Sequence, residues 1–315
     1  MASGHVRVLV SAPYLQPELG RFRPRLEDAG CELVVPAVHE RLEEDDLLTL
    51  VADVDGVICG DDRFTERVLA AAPRLKVISK WGTGVDSIDR EACARRGITV
   101  CNTPDAFSIP VAESALGYAL CFARNLVAMA AQMREGGWRK TAGRSLSECT
   151  FGIVGVGNVG KALAKLLQPF GARVLANDSR QLAPAELTAS RVEMAPLEQL
   201  LSDADFVSLH CDLNPTSHHL IGAAQLAAMK PTAVLINTAR GSIIDEPALI
   251  AALQAGALAG AALDVFEHEP LAPDSPLRAM DNVLLAPHNS NSSPRAWERV
   301  HETTIHNLLA ALGRE

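Results

Sequence analysis

The chain has 315 residues, of which 48% are apolar and 21% charged; this is the usage of a globular protein and excludes a disordered or collagen-like one. The length exceeds one ordinary core, so we expect one large domain or two smaller ones. The net charge is −9 and aromatic residues make up only 4%, so we expect no nucleic-acid partner, because polyanions bind basic surfaces and unpaired bases stack on rings.

The distribution of apolar residues and cysteines predicts the compartment. The longest runs without a polar residue, 115–123 and 255–263, have nine residues each, whereas about twenty are needed to cross a bilayer, so we expect no membrane span. Seven scattered cysteines, an odd number, are typical of reduced thiols. A strand-like pattern begins at Val6 and leaves no room for a signal peptide, which favours a cytoplasmic protein.

Short apolar runs alternate with segments of helical period along nearly the whole chain. Runs that are apolar throughout are typical of strands covered on both faces, so the alternation predicts an α/β fold built on parallel sheets. In chain order the predicted strands are 6–11, 32–35, 57–59, 76–79, 98–101, 151–154, 173–176, 206–210, 233–237, 260–265 and 283–286.

One predicted helix is unusually long. The apolar segment 110–135 has about twice the length of the average globular helix, which is roughly 11 residues. We therefore expect it to connect two domains or to pack on a partner. A last helix is predicted over 294–312, after the final strand, where it would return to the first domain.

A glycine-rich turn gives the sharpest local signal. Gly155, Gly157 and Gly160 are spaced as GxGxxG, and with Asn158 and Val159 they lie between the strand 151–154 and a predicted helix. The first glycine permits a tight turn, the second a close approach to a pyrophosphate, and the third the packing of helix on strand. The helix start then offers N–H groups to phosphates, so the turn predicts dinucleotide binding.

An acidic residue follows the next predicted strand. Asp178 comes 18 residues after Gly160, where a carboxylate can hold the ribose hydroxyls and repel a 2′-phosphate. The sequence thus favours NAD over NADP, although Arg180 nearby weakens the preference. The alternative for Asp178 is a turn residue or a helix cap.

Further motifs carry a family resemblance. They are NTARG at 237–241, LDVFEHEP at 263–270 and APH at 286–288, supported by GTGVDSID at 82–89, TP at 103–104, VAE at 111–113 and HCDLNPT at 210–216. With the glycine turn at mid-chain, the sequence resembles the D-isomer-specific 2-hydroxyacid dehydrogenases, and in particular the phosphoglycerate dehydrogenase branch in its short form without a regulatory domain.

The resemblance implies two doubly wound parallel-sheet domains and a homodimer formed around the nucleotide domains. A Rossmann NAD-binding domain, 102–289, would be inserted into a flavodoxin-like substrate-binding domain, 1–101 plus 290–315. Arg240 would bind the substrate, His288 would be the acid/base and Glu269 its partner. Asp264 would meet the nicotinamide amide, and the other implied cofactor-binding residues are His210, Cys211, Thr238, Ala239 and Ser290. The other implied substrate-binding residues are Lys80, Trp81, Gly82, Thr83 and Gly84.

The chemistry of these residue types supports the roles. An unperturbed histidine pKa of about 6.5 allows proton transfer in both directions near neutrality, and a neighbouring carboxylate stabilises the imidazolium. An arginine fork binds a carboxylate through two hydrogen bonds. Taken singly, His288 is also compatible with a loop histidine, Arg240 with a surface cation, and Glu269 and Asp264 with turn acids. His210, His218 and His219 suggest a metal site only weakly, and we expect none.

The sequence also departs from the family pattern. Phe107 stands where many members have asparagine, Ser290 stands where a glycine is usual, and Cys59-Gly60-Asp61 lacks an arginine of phosphoglycerate-type enzymes. We expect an NAD-dependent oxidoreductase for a small D-2-hydroxy or 2-keto acid. The alternatives are an NAD(H)-sensing, corepressor-like interaction protein and a dehydrogenase for a phosphite- or phosphonate-type anion, the latter suggested by Lys80 at the mouth of the implied cleft.

Overall fold

The structure, a computed structural model, describes residues 5–314. The chain divides into two compact units: the first runs up to Phe107 and resumes at Ser293, and the second runs from Ser108 to Ser292. The sequence predicts these limits a few residues earlier, at 101 and 289. Each unit contains one parallel sheet with helices around it.

The strands and helices alternate along most of the chain. The strands are β1 Val6–Val10, β2 Cys31–Val34, β3 Gly56–Cys59, β4 Val77–Lys80, β5 Thr99–Cys101, β6 Thr150–Val154, β7 Arg173–Asn177, β8 Glu193–Met194, β9 Phe206–Leu209, β10 Val234–Asn237, β11 Gly260–Leu263 and β12 Val283–Leu285. The α-helices are α1 Leu19–Asp28, α2 Glu44–Leu48, α3 Glu66–Ala70, α4 Arg90–Arg95, α5 Ser108–Ala123, α6 Leu126–Arg134, α7 Asn158–Leu167, α8 Pro184–Ser190, α9 Leu197–Asp203, α10 Ala223–Ala228, α11 Glu246–Gln254 and α12 Pro294–Ala311.

The first unit has a five-stranded sheet in the order β2-β1-β3-β4-β5, with every pair parallel. This is the flavodoxin-like order of a doubly wound sheet. Its strands are mostly apolar, as is usual where helices cover both faces of a parallel sheet. Helix α12 belongs to this unit, where the Ser79 hydroxyl of β4 donates to the Thr304 carbonyl.

The second unit has a seven-stranded parallel sheet in the order β12-β11-β10-β9-β6-β7-β8. Strand order reverses between β6 and β9, and such a switch point opens a crevice at the carboxyl ends of the strands. Phe151 of β6 stacks on Phe206 of β9 with ring centroids 4.9 Å apart in the core. The predicted fold class, two doubly wound parallel sheets with a Rossmann order in the second, is confirmed.

All eleven predicted strands are present, with ends shifted by at most about two residues, as is usual for strand boundaries. The two-residue strand β8 was missed by the sequence analysis. Its residues Glu193 and Met194 are exposed at the edge of the sheet, so no apolar run marks it.

The prediction of one long helix over 110–135 is wrong. The segment forms α5 and α6, which meet at a bend of 58°. The break occurs at Asn125, whose φ of 52° is left-handed, a conformation that ends helices. The segment after α6 contacts the end of α5, where the Arg144 N–H donates to the Ala123 carbonyl at 2.8 Å. Within residues 5–314 no single helix is long and apolar enough to cross a membrane; only α5 and α6 taken together meet that criterion.

Candidate active site

The glycine turn joins β6 to α7 at the carboxyl edge of the second sheet. Gly155 has a φ of +95°, and a Cβ on it would lie 2.5 Å from the Cys211 backbone nitrogen. A Cβ on Gly160 would overlap the Gly155 carbonyl oxygen. The chain's own packing therefore requires glycine at both positions.

Gly157 is different, because a Cβ there would meet no atom of the described chain within 4 Å. The open space lies at the start of α7, where the N–H groups of Asn158 and Val159 have no helical carbonyl to bind. The buried Thr238 hydroxyl, after β10, likewise has no hydrogen-bond partner among residues 5–314. A glycine that no protein contact demands and an unsatisfied buried hydroxyl both fit a bound dinucleotide.

Asp178 lies directly after β7 and is tied to the glycine turn. Its Oδ2 accepts the Val156 N–H at 2.7 Å and its Oδ1 accepts the Arg180 N–H at 2.8 Å. The Arg180 guanidinium Nε lies 3.4 Å from the same carboxylate. A negative and a positive group therefore stand together where the sequence predicts the ribose site.

His210 and Cys211 follow β9, the strand beside β6. The His210 N–H donates to the Val154 carbonyl at 2.7 Å, and its Nε2 lies 2.8 Å from the Ser208 hydroxyl. Burial lowers the pKa of His210 to about 4, so the ring is neutral at physiological pH. Burial also raises the pKa of Cys211 to about 11, so this cysteine is a thiol.

The segment that carries Arg240 follows β10. Gly241 brings it against the loop after β11, since a Cβ on this glycine would overlap the backbone of Phe266 and Glu267. The half-buried Arg240 donates from Nη1 to the Ala239 carbonyl at 2.8 Å. Asn237, the last residue of β10, binds the backbone of both Ala239 and Arg240.

Glu269 and His288 form a pair at the same edge. The Nδ1 atom of His288 lies 2.9 Å from Oε2 of Glu269, and Oε1 of Glu269 accepts the Phe266 N–H at 2.9 Å. Both side chains are half-buried. His288 has a φ of +52°, uncommon for a residue with a side chain, and its N–H donates to the Asp264 carbonyl at 2.7 Å.

Asp264 is almost fully buried behind this pair. Its carboxylate accepts the N–H groups of Asn289 and Ser290, each at 2.8 Å. Sequence reasoning missed two neighbours, Asn237 and Tyr118. Burial raises the pKa of the Tyr118 hydroxyl, and the charge of Asp264 adds to the rise. Asn237 carries a recognisable signal, because a polar residue that closes a wholly apolar strand needs partners in the loop beyond it.

The candidates Lys80–Gly84 belong to the first unit, at the end of β4. The sequence presents Lys80 as a cation at a cleft mouth, but the side chain is buried and its Nζ pairs with Asp61 Oδ1 at 3.0 Å. Trp81 donates from Nε1 to His301 Nδ1 at 2.9 Å. Gly82 has a φ of +125°, and the Thr83 hydroxyl donates to the Thr103 carbonyl at 3.0 Å.

The histidines after β9 are engaged within the chain. His219 pairs with Glu267, and the rings of His218 and His219 stack with centroids 4.0 Å apart. Across residues 5–314 no group of three or more metal-ligating side chains converges.

A dinucleotide-type turn and a carboxylate–histidine pair at one edge of a doubly wound sheet are typical of one class of protein, the oxidoreductases that use a nicotinamide cofactor. A family model described as D-isomer specific 2-hydroxyacid dehydrogenase, NAD binding domain, matches residues 116–290, more than half of the chain. The chain belongs to this family, and the resemblance seen in its motifs is confirmed.

Relatives and solved structures agree with this assignment. The chain is 40% identical over 296 residues to a glyoxylate reductase of Thermofilum pendens, covering 90% of this chain and 86% of that one. It is also 40% identical over 260 residues to a D-3-phosphoglycerate dehydrogenase of Methanocaldococcus jannaschii, covering 81% of this chain and 49% of that one. A crystal structure of D-lactate dehydrogenase from Aquifex aeolicus with NAD and lactic acid superposes with a TM-score of 0.87 at 26% identity, covering 98% and 96% of the two chains.

Proposed function

We propose that the protein interconverts a small 2-keto acid and the corresponding D-2-hydroxy acid, with NAD as the preferred cofactor. The observation that carries the proposal is the contact of 2.9 Å between His288 Nδ1 and Glu269 Oε2 at the edge that also holds the glycine turn. A histidine oriented by a carboxylate is the arrangement that a general acid/base needs.

His288 and Glu269 move the proton. Because Glu269 engages Nδ1, the other nitrogen, Nε2, gives a proton to the developing alkoxide during reduction and takes it back during oxidation. The charge of Glu269 stabilises the imidazolium, so the pair favours the protonated ring that reduction requires.

Arg240 binds the acid. Its planar guanidinium carries five N–H donors, which suits two parallel hydrogen bonds to a carboxylate and a further contact that polarises the keto oxygen. The Asn237 side chain and the contact of Gly241 with the 266–267 backbone hold this segment in place. We propose Lys80, Trp81 and the 82–84 loop as substrate-binding residues on the resemblance alone.

The cofactor residues follow from the strand ends of the second unit. The turn of Gly155, Gly157 and Gly160, with the N–H groups of Asn158 and Val159, would hold the pyrophosphate, and Asp178 would hold the ribose. His210, Cys211, Thr238, Ala239, Asp264 and Ser290 would surround the nicotinamide end. When bound, the cofactor supplies or accepts the hydride.

Glyoxylate is the first substrate to test, because relatives 38–40% identical to this chain are named glyoxylate reductases. The interaction-protein alternative predicts nicotinamide cofactor binding without turnover of any keto acid. The phosphite-type alternative is weakened by the ion pair of Lys80 with Asp61, which already balances the lysine charge.

The decisive experiment is a screen of 2-keto acids with NADH and NADPH, followed at 340 nm. His288→Ala should lower the rate by roughly 10²–10⁴-fold, the usual contribution of a general acid. His306→Ala, which removes an exposed histidine on α12, is the matched control and should keep the full rate. A folded His288→Ala protein with unchanged turnover would contradict the assignment.

The second unit would be the cofactor-binding domain, and the first unit would be the substrate-binding domain that the resemblance implies. A homodimer is supported by α6, whose residues are nearly all apolar although none of them is buried in the chain. A cytoplasmic location is supported by the seven cysteines, all of which are free thiols in the structure.

A further inference from the structure

We propose that Asn237 and Asp264 are positioning residues that hold the loops of Arg240 and His288 in their working geometry. The two side chains occupy equivalent places, at the carboxyl ends of the adjacent strands β10 and β11, and they are 0% and 1% exposed. The inference rests on the proposed function, because it assigns these residues to the acid/base and the substrate clamp.

Asn237 fastens the Arg240 loop through both ends of its amide. Its Nδ2 donates to the Arg240 carbonyl at 2.9 Å, and its Oδ1 accepts the Ala239 N–H at 3.0 Å. The backbone carbonyl of Asn237 also accepts the Asp264 N–H at 3.0 Å, which links the two strand ends. One donor and one acceptor are needed here, and asparagine supplies both.

Asp264 fastens the His288 loop through three consecutive N–H groups. Its carbonyl accepts the N–H of His288 at 2.7 Å, and its two carboxylate oxygens accept those of Asn289 and Ser290 at 2.8 Å each. These bonds stabilise the left-handed backbone of His288, which a residue with a side chain rarely adopts and which aims the imidazole at Glu269. Two acceptors are needed here, and the two carboxylate oxygens of an aspartate supply both.

Asparagine and aspartate have nearly the same shape, yet each is wrong in the other's place. Asparagine at 264 would turn its NH₂ toward a backbone N–H, and aspartate at 237 would turn an oxygen toward a backbone carbonyl. In a buried site no water relieves such a mismatch, so the loop must shift. A displacement of about 1 Å at a reacting group can cost on the order of 10²-fold in rate.

Asp205 supplies a matched comparison in the same sheet. It is 7% exposed and its carboxylate also accepts a backbone N–H, that of Thr150, at 2.8 Å. However, Asp205 precedes β9 and so lies at the opposite, amino edge, where it pairs with Arg144 and Lys230. Asp205 is therefore a buried aspartate that binds a backbone N–H, as Asp264 does, but it has no neighbour in the proposed site.

The test compares Asn237→Asp, Asp264→Asn and the control Asp205→Asn in the full-length protein. We expect the first two to lower kcat by about 10- to 100-fold, and the control to lower Tm while keeping kcat. In a His288→Ala background, Asp264→Asn should lower kcat little further, because Asp264 acts through the His288 side chain, which this background lacks. Without cofactor, ¹⁵N NMR of the imidazole should report a changed His288 environment in Asp264→Asn and not in Asp205→Asn.

The outcomes separate the two proposals. Active wild-type protein together with full kcat in both variants would overturn the positioning role alone. A lower Tm with an unchanged kcat in Asp264→Asn would also overturn it. So would a double variant in which the effects of Asp264→Asn and His288→Ala on kcat are additive in free energy. Wild-type protein that reduces no keto acid would overturn the proposed function and this inference with it.

Discussion

At the residue scale, the two oxygens of Glu269 have separate tasks. Oε1 is fixed by the Phe266 N–H, and this leaves Oε2 aimed at His288 Nδ1. A carboxylate held by the backbone cannot swing away from its partner, so its charge acts on the imidazolium in a constant geometry. The electrostatic part of the pair can therefore be tested apart from its shape.

Glu269→Gln preserves the volume and removes the charge. Reduction needs a protonated His288, so its rate should fall with rising pH, and without the carboxylate this fall should begin at a lower pH, because the imidazolium loses a stabilising charge. Oxidation of the hydroxy acid, which needs the neutral ring, should suffer less. Profiles of kcat/KM from pH 5 to 9 in both directions measure this; identical reduction profiles in the two proteins would contradict the pairing.

The choice between NAD and NADP should depend on two neighbouring residues, Asp178 and Arg180. Asp178→Ser should lower the preference for NADH over NADPH, because the carboxylate that repels a 2′-phosphate is lost while the Arg180 cation remains. Arg180→Ala should change the preference in the opposite direction. The ratio of kcat/KM with NADH to kcat/KM with NADPH checks both variants. If neither substitution changes this ratio, the ribose binds elsewhere.

At the element scale, the carboxyl ends of strands collect polar side chains in the first unit as well. Asp62, beyond the end of β3, is 0% exposed and accepts hydrogen bonds from the Leu42 N–H and the Ser11 hydroxyl. Burial raises its pKa to about 6, although those two hydrogen bonds and the charge of Lys80 oppose the rise. The nearby Asp61 adds to it.

This burial predicts a pH dependence of stability. Between about pH 4 and pH 6 the unfolded chain releases the Asp62 proton while the folded chain keeps it, so the free energy of unfolding falls as pH rises, by roughly 3 kcal/mol from this group. In Asp62→Asn the amide can accept from the Leu42 N–H and donate to the Ser11 hydroxyl. This fall in the free energy of unfolding between pH 4 and pH 6 should therefore disappear. Urea unfolding at pH 4, 5, 6 and 7 tests it, with exposed Asp45→Asn as control; parallel curves for wild type and Asp62→Asn would refute it.

At the scale of the whole molecule, α6 and the segment after it present apolar side chains to solvent. Leu126, Val127 and Met133 are about half exposed and Trp138 is 87% exposed. Exposed apolar side chains grouped in this way are typical of a surface that a partner covers. The implied homodimer gives the patch a specific occupant, a second copy of the chain.

Light scattering after size exclusion should therefore give twice the chain mass of 33.5 kDa. Val127→Lys places a charge in the patch and should shift the protein toward the monomer, because a buried unpaired charge is costly at an interface. Met194→Lys, on the exposed edge strand β8, is the control and should leave the mass unchanged. A wild-type protein of single-chain mass at micromolar concentration would contradict the dimer.

Elements with a local signal could be predicted from the amino-acid sequence. Apolar runs indicated the strands because both faces of a parallel sheet are buried. The GxGxxG turn could be recognised because a positive φ or a close backbone contact requires glycine at positions only a few residues apart. The motifs around Arg240, Glu269 and His288 also indicated the catalytic candidates, because their residue types and spacing resemble those of the family.

Features that depend on contacts between distant segments became visible in the folded chain alone. At the break between α5 and α6, the Ala123 carbonyl accepts the N–H of Arg144, about twenty residues away, and no helical pattern in the sequence contains this contact. The burial of Lys80 against Asp61 and the bonds of Asp264 to the His288 loop likewise join strands that are remote in sequence. A side chain's type limits which bonds it can form, but the fold decides which partners reach it.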